Sequence, residues 1–254
     1  MPTVSRLNIA PVKGLALESR PEIRLEPWGV AEDRRFYLVD PTGRLVDGLI
    51  AGPLVQVAAW TDPGGERLRL TFPNGLVVED DVRVTDPIET AMYGRTAVGH
   101  VIDGPWAAVL EPIAGRSLRL VRVDEPGRTR TDHPATLIGD GSLDQLARHL
   151  GVPSVDPRRF RMLIELVGGA PHEEDTWCDR RVAIGGTILQ ISKPVPRCAI
   201  TTQDPDTGAR DLDTLRTIIA YRGLRNGRDI DFGVWGEVER PGTIRVGDEV
   251  ALLD

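Results

Sequence analysis

Turn signals crowd the first hundred residues of this 254-residue chain and leave little room there for long helices. Asp40-Pro41-Thr42-Gly43, Asp62-Pro63-Gly64-Gly65 and Pro73-Asn74-Gly75 each put Pro or Gly where a tight reversal needs them. Between them lie short alternating or apolar segments at residues 4–9, 22–25, 35–39, 68–72 and 76–78. That spacing predicts hairpins, and Asn74-Gly75 ahead of Leu76-Val77-Val78 is a strong local signal. No helix of three turns is expected before residue 110.

The second half reads as mixed. Residues 142–150 put Leu143, Leu146, Ala147 and Leu150 on one helical face, with Ser142 as the expected N-cap and Gly151 after the end. Residues 211–222 repeat the design with Leu212, Leu215, Ile218 and Ile219, followed by Gly223. Strands are expected at 162–167, 182–191, 232–238 and 244–253, with Pro241-Gly242 between the last two. The expected class is β-dominated α+β. It divides into two β-rich modules, 1–112 and 113–254, joined near residues 105–120.

Composition narrows the function classes. Apolar residues make up 41% and charged residues 27%, a balance that excludes a disordered chain. A net charge of −7 argues against nucleic acid as a partner. No apolar run approaches the roughly 18–20 residues of a membrane span. The opening MPTVSRLNIAPVKG lacks the pattern of a signal peptide, and two cysteines cannot build a disulfide framework, so a cytoplasmic address is expected. Only Lys13 and Lys193 among the 31 basic residues are lysines. Arginine replaces lysine wherever either charge serves, so two retained ammonium groups in Pro-flanked segments stand out.

Most catalytic templates are missing: there is no Walker loop, no G-x-G-x-x-G opening a helix, no G-x-S-x-G and no H-E-x-x-H. The four histidines are scattered, and Cys178 and Cys198 lack metal-site spacing. The densest segment is Lys193-Pro194-Val195-Pro196-Arg197-Cys198-Ala199-Ile200-Thr201-Thr202-Gln203-Asp204-Pro205-Asp206-Thr207-Gly208. Two prolines stiffen the approach to one thiol, and Arg197 beside it favours the thiolate that ligates metals. A small buried Cys at a strand end beside an Asp-Pro turn reads the same residues without chemistry. Cys178 lacks any such stiffening. In Arg158-Arg159-Phe160-Arg161, Arg159 and Arg161 point the same way if the backbone is extended, a geometry that grips an anion; a solvated charge run is the plainer alternative.

These segments together resemble the MOSC-domain proteins, the group that includes the mitochondrial amidoxime-reducing components and their bacterial relatives. The segment 193–208 resembles the family's cysteine motif and Pro11-Val12-Lys13-Gly14 its opening motif. Asp33-Arg34-Arg35-Phe36-Tyr37-Leu38-Val39-Asp40 resembles its basic-aromatic strand, and Ser142-Leu143 its helix start. Arg159-Phe160-Arg161, Glu174-Asp175-Thr176-Trp177 and the closing 242–250 stretch also match in order.

The resemblance implies an N-terminal β-barrel-like module packed on a β-barrel MOSC domain, with a molybdenum–molybdopterin cofactor between them. It implies that Cys198 binds molybdenum, that Lys13, Arg35, Arg159 and Arg161 hold the pterin and its phosphate, and that Ser142 assists at a helix N-terminus. Asp204 and Thr202 are expected to shape the substrate side. The implied reaction is oxygen-atom transfer from small N-hydroxylated substrates. With no cluster ligands and no flavin or nicotinamide fingerprint in the chain, electrons are expected from a separate reductase. A non-catalytic carrier of cofactor, or of sulfur as a Cys198 persulfide, is the alternative. Two departures stand out: Met162-Leu163 follows Arg-Phe-Arg where many relatives have Pro-Asn, and residues 47–53 replace a Thr-Gln-Arg stretch.

Overall fold

The structure, a computed structural model, describes residues 1–129 and 133–253. Strands dominate, accompanied by three α-helices among the described residues, as expected for a β-dominated α+β chain. The ladders form four open sheets, and none closes into a barrel among the described residues.

The largest sheet runs in the order Val250–Leu253, Arg181–Ile184, Thr187–Pro196, Asp231–Arg240, Ala135–Gly139, Ile164–Val167, Thr3–Ile9, Glu18–Arg20. Two of its eight strands thus come from the first twenty residues. Thr3–Ile9 pairs antiparallel with Ile164–Val167, and Glu22–Leu25 pairs separately with Gly242–Arg245. Val4, Leu7, Ile9, Ile23 and Leu25 accordingly share a buried core with Leu137, Ile164, Leu189, Val234 and Ile244. Ala135–Gly139 and Ile164–Val167 are parallel, which requires a crossover. The helix Asp140–Leu150 lies in it.

The second sheet, Leu45–Val46, Phe36–Val39, Arg119–Val123, Arg95–Asp103 and Arg83–Met92, belongs to the first half. Phe36–Val39 is buried at every position because Phe36 and Leu38 face one core while Tyr37 and Val39 face another. The hairpin series forms a three-stranded sheet, Ala58–Thr61, Arg67–Thr71 and Val77–Asp81. Leu68 and Leu70 point inward there, while Arg67 and Arg69 point outward and pair with Glu79.

Several local expectations are corrected. Helix α1, Trp106–Ala114, is shorter than three turns and had not been read from the sequence; it has no side-chain cap at its start and carries Pro112 inside, and its one usual boundary signal is the left-handed Gly115 that ends it. Helix α2 spans Asp140–Leu150 with Gly139 as its N-cap, so Ser142 is an internal helical residue; Gly151 does close it in the left-handed conformation. Helix α3 starts later than expected, at Thr214, because Asp213 caps it by accepting from the Arg216 amide. The stretch 182–191 is a hairpin, Arg181–Ile184 and Thr187–Pro196, turning at Gly185-Gly186.

Trp106 anchors α1: it is 1% exposed and its indole N–H donates to the Leu68 carbonyl at 3.0 Å. Trp106→Ala should cost about 3–5 kcal/mol. Denaturant unfolding measures this, and a loss near zero would contradict the packing.

Candidate functional site

Three segments that are far apart in sequence meet at one cavity of about 340 Å³. The first is the Pro11–Gly14 turn. Phe36 N–H donates to the Pro11 carbonyl (3.0 Å) and Lys13 N–H to the Phe36 carbonyl (2.8 Å), so the turn is locked to the basic-aromatic strand. Gly14 has φ +92°, and a Cβ there would lie 3.1 Å from the Gly48 amide nitrogen. The second segment is Asp47-Gly48-Leu49. The third is the end of Thr187–Pro196, where Arg197 N–H bonds the Ile230 carbonyl (2.7 Å) and the chain turns at Cys198 into a short helical turn, Ala199–Thr202.

Cys198 is exposed and lines the cavity, which rules out its reading as a buried core thiol. Cys178 is half-buried against the main core. Among the described residues no group of three or more His, Cys, Asp or Glu is placed to hold a metal ion.

The cavity wall carries Lys13, Arg34, Arg161 and Arg197 against Asp33 and Asp47. Lys13 Nζ donates to the Thr129 carbonyl (2.9 Å). Burial, then the nearby Arg34 charge, lowers its ammonium to about 8, and Asp47 opposes the shift. Arg161, in the left-handed region at φ 52°, donates to the Leu15 carbonyl (2.7 Å); burial first and Arg34 second bring it down to about 10. Arg197 is also lowered to about 10 by burial, with its guanidinium over the Phe160 ring at 5.0 Å and bonded to the Phe160 carbonyl at 2.9 Å. Its Nε is buried without a partner. Desolvated cations with spare donors are a standing attraction for an anion. Arg161 also lines a second cavity of about 310 Å³ with Arg158 and Gln56, so the cationic floor extends beyond the thiol chamber.

The other sequence-selected residues lie elsewhere. Arg35 is buried with its guanidinium on the carbonyls of Val123 (2.9 Å), Asp124 (3.2 Å) and Gly64 (3.4 Å), so its neighbour Arg34 is the one that reaches the cavity. Ser142 is buried, donating to Glu174 (2.7 Å) and accepting from the His172 amide (2.9 Å). Glu174 also takes the Gly139 amide (3.2 Å), so the start of α2 already faces a carboxylate. Pro157–Phe160 is a short helical turn, which overturns the extended geometry for Arg159 and Arg161. Arg159 is held by both Asp211 oxygens at 2.6 Å. Thr202 spends its hydroxyl on the Ala199 carbonyl (2.7 Å), and Asp204 closes its own turn onto Thr207; the neighbouring Thr201 lines the cavity instead. Sequence reading reached Asp47 only as part of the 47–53 departure from the family pattern, and it missed Tyr93. The signal for Tyr93 was Tyr93-Gly94, a hairpin-tip dipeptide.

The model of the MOSC domain matches residues 114–251, more than half of the chain, and that of the MOSC N-terminal beta barrel domain matches 1–97. The chain belongs to the MOSC family. Curated relatives extend the likeness over the whole length. Mitochondrial amidoxime-reducing component 1 of Xenopus laevis is 34% identical over 97% of this chain and 81% of its own, and that of Mus musculus 27% identical over 99% and 82%. Molybdenum cofactor sulfurase of Caenorhabditis elegans is 26% identical over 92% of this MOSC chain and 33% of its own. No helix among the described residues is long and apolar enough to cross a membrane.

The Lys13 value sets a pH prediction. Its folded value lies below the ordinary 10.5, so between about pH 8 and 10.5 the unfolded chain binds more protons and this group makes stability rise with pH. The cavity loses a positive charge over the same window. Affinity for sulfate, whose own charge is constant there, should fall up to about tenfold per pH unit above that point, and Lys13→Arg should flatten the profile. Calorimetric titration at pH 7 and pH 9.5 decides; an unchanged affinity in the wild type would contradict it.

Proposed function

We propose that this MOSC protein is an oxidoreductase that binds a molybdenum–molybdopterin cofactor and reduces small N-hydroxylated substrates, with electrons from a separate reductase. The observation that carries the reading is an exposed Cys198 thiol on a cavity whose wall holds Lys13, Arg34, Arg161 and Arg197. Residues of this kind fit the cofactor: one soft sulfur donor for the metal, and desolvated cations, one with an unpartnered Nε, for phosphate and pterin oxygens. When bound, the cofactor supplies two-electron oxygen-atom chemistry.

The chain's own part is binding and orientation. Cys198 offers its thiolate at the end of a strand stiffened by Pro194 and Pro196. Lys13 and Arg161 hold anionic oxygens from the floor, and Arg34 and Arg197 add charge at either side. Arg159 borders a narrow space that Arg158 and Arg161 share, and its ion pair with Asp211 holds it there. Arg35 and Ser142 act from behind, fixing the strand after Arg34 and the start of α2. The names of the relatives agree with this reading.

The test is reduction of benzamidoxime to benzamidine by metal-loaded protein, with a reduced viologen dye as electron source. Turnover supports the reading; its absence in protein shown to contain molybdenum overturns it. The exposure of Cys198 and the sulfurase relative also favour a second reading, a carrier of sulfur or cofactor. Transferable sulfane sulfur in metal-free protein supports that one.

A further inference from the structure

The strands Arg83–Met92 and Arg95–Asp103 form a hairpin that reaches from the N-terminal sheet to the Cys198 cavity. Its tip, Tyr93-Gly94, has both residues in the left-handed region, at φ 47° and 89°. Glycine suits that turn, but a tyrosine is strained there, and strain of this kind persists where surroundings hold it. No core holds Tyr93, which is 57% exposed. Its partners are polar: the hydroxyl donates to the Asp47 carboxylate, and the ring lies 5.3 Å from Lys13 Nζ. Burial of the hydroxyl and the Asp47 charge push the phenol up, with Cys198 adding to the effect, so the hydroxyl stays a donor and lies within electrical reach of the thiol.

Asp47 is itself 7% exposed. One of its oxygens accepts the Leu49 amide (3.0 Å) and the other the Tyr93 hydroxyl. A carboxylate has about four lone-pair sites. Two are therefore taken, and the group lines the cavity with acceptor capacity left over.

We propose that Asp47 and Tyr93 form the substrate-selecting wall of this cavity. Asp47 takes N–H donors from an amino group on the N-hydroxylated carbon, and the Tyr93 ring covers the plane of that group. The inference rests on the proposed reductive function and assigns these two residues the choice within it, favouring substrates such as amidoximes that carry such an amino group. An aromatic N-oxide has no N–H to give, and its binding leaves the remaining acceptor sites of a desolvated carboxylate unfilled.

The experiment compares benzamidoxime with quinoline N-oxide on metal-loaded wild type, Asp47→Asn, Tyr93→Phe and Tyr93→Ala, with molybdenum content and thermal midpoint measured for each. Asparagine can still accept from the Leu49 amide, so that variant removes charge while keeping the local bond. The expected result for Asp47→Asn is a KM for benzamidoxime raised about tenfold or more, a smaller change in kcat, and little change for the N-oxide. Tyr93→Ala should move the same ratio in the same direction. Tyr93→Phe, which keeps the ring but removes the hydroxyl that Asp47 accepts from, should move the ratio in the same direction and by less than Tyr93→Ala. Equal losses on both substrates, or no loss on either, overturn the proposal. Benzamidoxime binding is also measured calorimetrically without an electron donor, which separates this wall from the reduction itself. Binding that Asp47→Asn weakens supports the wall even if wild type reduces neither compound; no binding to wild type overturns it.

Discussion

Alanine at position 198 is expected to lower benzamidoxime reduction by about a hundredfold or more while leaving the fold untouched. Loss of an outer partner to a metal ligand typically costs 10- to 100-fold, and on the proposed function Cys198 is the ligand itself, whose removal should cost more. The side chain is exposed, so little packing goes with it. Stability should change by no more than about 0.5 kcal/mol. Cys178→Ala is the matched control, with the opposite signature. Cys178 is half-buried against the main core, and burial with the nearby Asp175 and Asp179 charges raises its thiol. That replacement should lower stability by about 1 kcal/mol and leave turnover alone. Kinetics and thermal unfolding of the two variants, side by side, decide whether the two sulfurs divide in this way. A Cys178→Ala protein as inactive as Cys198→Ala would contradict the division.

The second large effect is structural and lies in the same motif. Gly208 closes the turn that follows Cys198, with φ +75°, and sits backbone to backbone against Gly52. A Cβ on Gly208 would overlap the Gly52 carbonyl, and one on Gly52 would lie 2.5 Å from the Gly208 carbonyl oxygen. Gly208→Val therefore combines left-handed strain with a clash that only backbone movement relieves. It should cost about 2–4 kcal/mol and lower the melting temperature by roughly 5–15 °C. Gly75, at φ +84° with nothing within 4 Å of its Cβ position, isolates the strain alone. Gly75→Ala should cost only about 1 kcal/mol. Similar losses for both would show that the contact between Gly208 and Gly52 is not tight.

What the sequence made legible followed from local chemistry. Pro and Gly at fixed turn positions announced the hairpins at 40–43 and 73–75, and the ladders formed as read. Gly151 ended α2 because a left-handed residue was needed there. Two prolines ahead of Cys198 singled out the segment, but both lie inside the strand Thr187–Pro196, and only the structure decides that the thiol is exposed on a cavity. Long-range pairing was illegible. Nothing in residues 3–9 says that they lie beside 164–167, because the apolar alternation of a strand specifies a buried face but not a partner. The choice between Arg34 and Arg35 was hidden for a similar reason. Adjacent residues on extended chain point to opposite sides, but Arg34 is left-handed at φ 54°, which breaks the alternation just where the cavity begins. Ser142 looked like a cap because serine favours that position; a buried bond to Glu174 used it instead. Tyr93 carried no motif. Its role depends on where a nine-residue strand carries a hairpin tip in three dimensions.

The most direct measurement of the central claim is the molybdenum content and released-pterin fluorescence of wild-type protein purified from a host that makes the cofactor, with Cys198→Ala and Cys178→Ala prepared in parallel. The account predicts near-stoichiometric molybdenum in wild type and Cys178→Ala, and its loss in Cys198→Ala. Folded wild-type protein with neither molybdenum nor pterin, from cells shown to supply both, would contradict it.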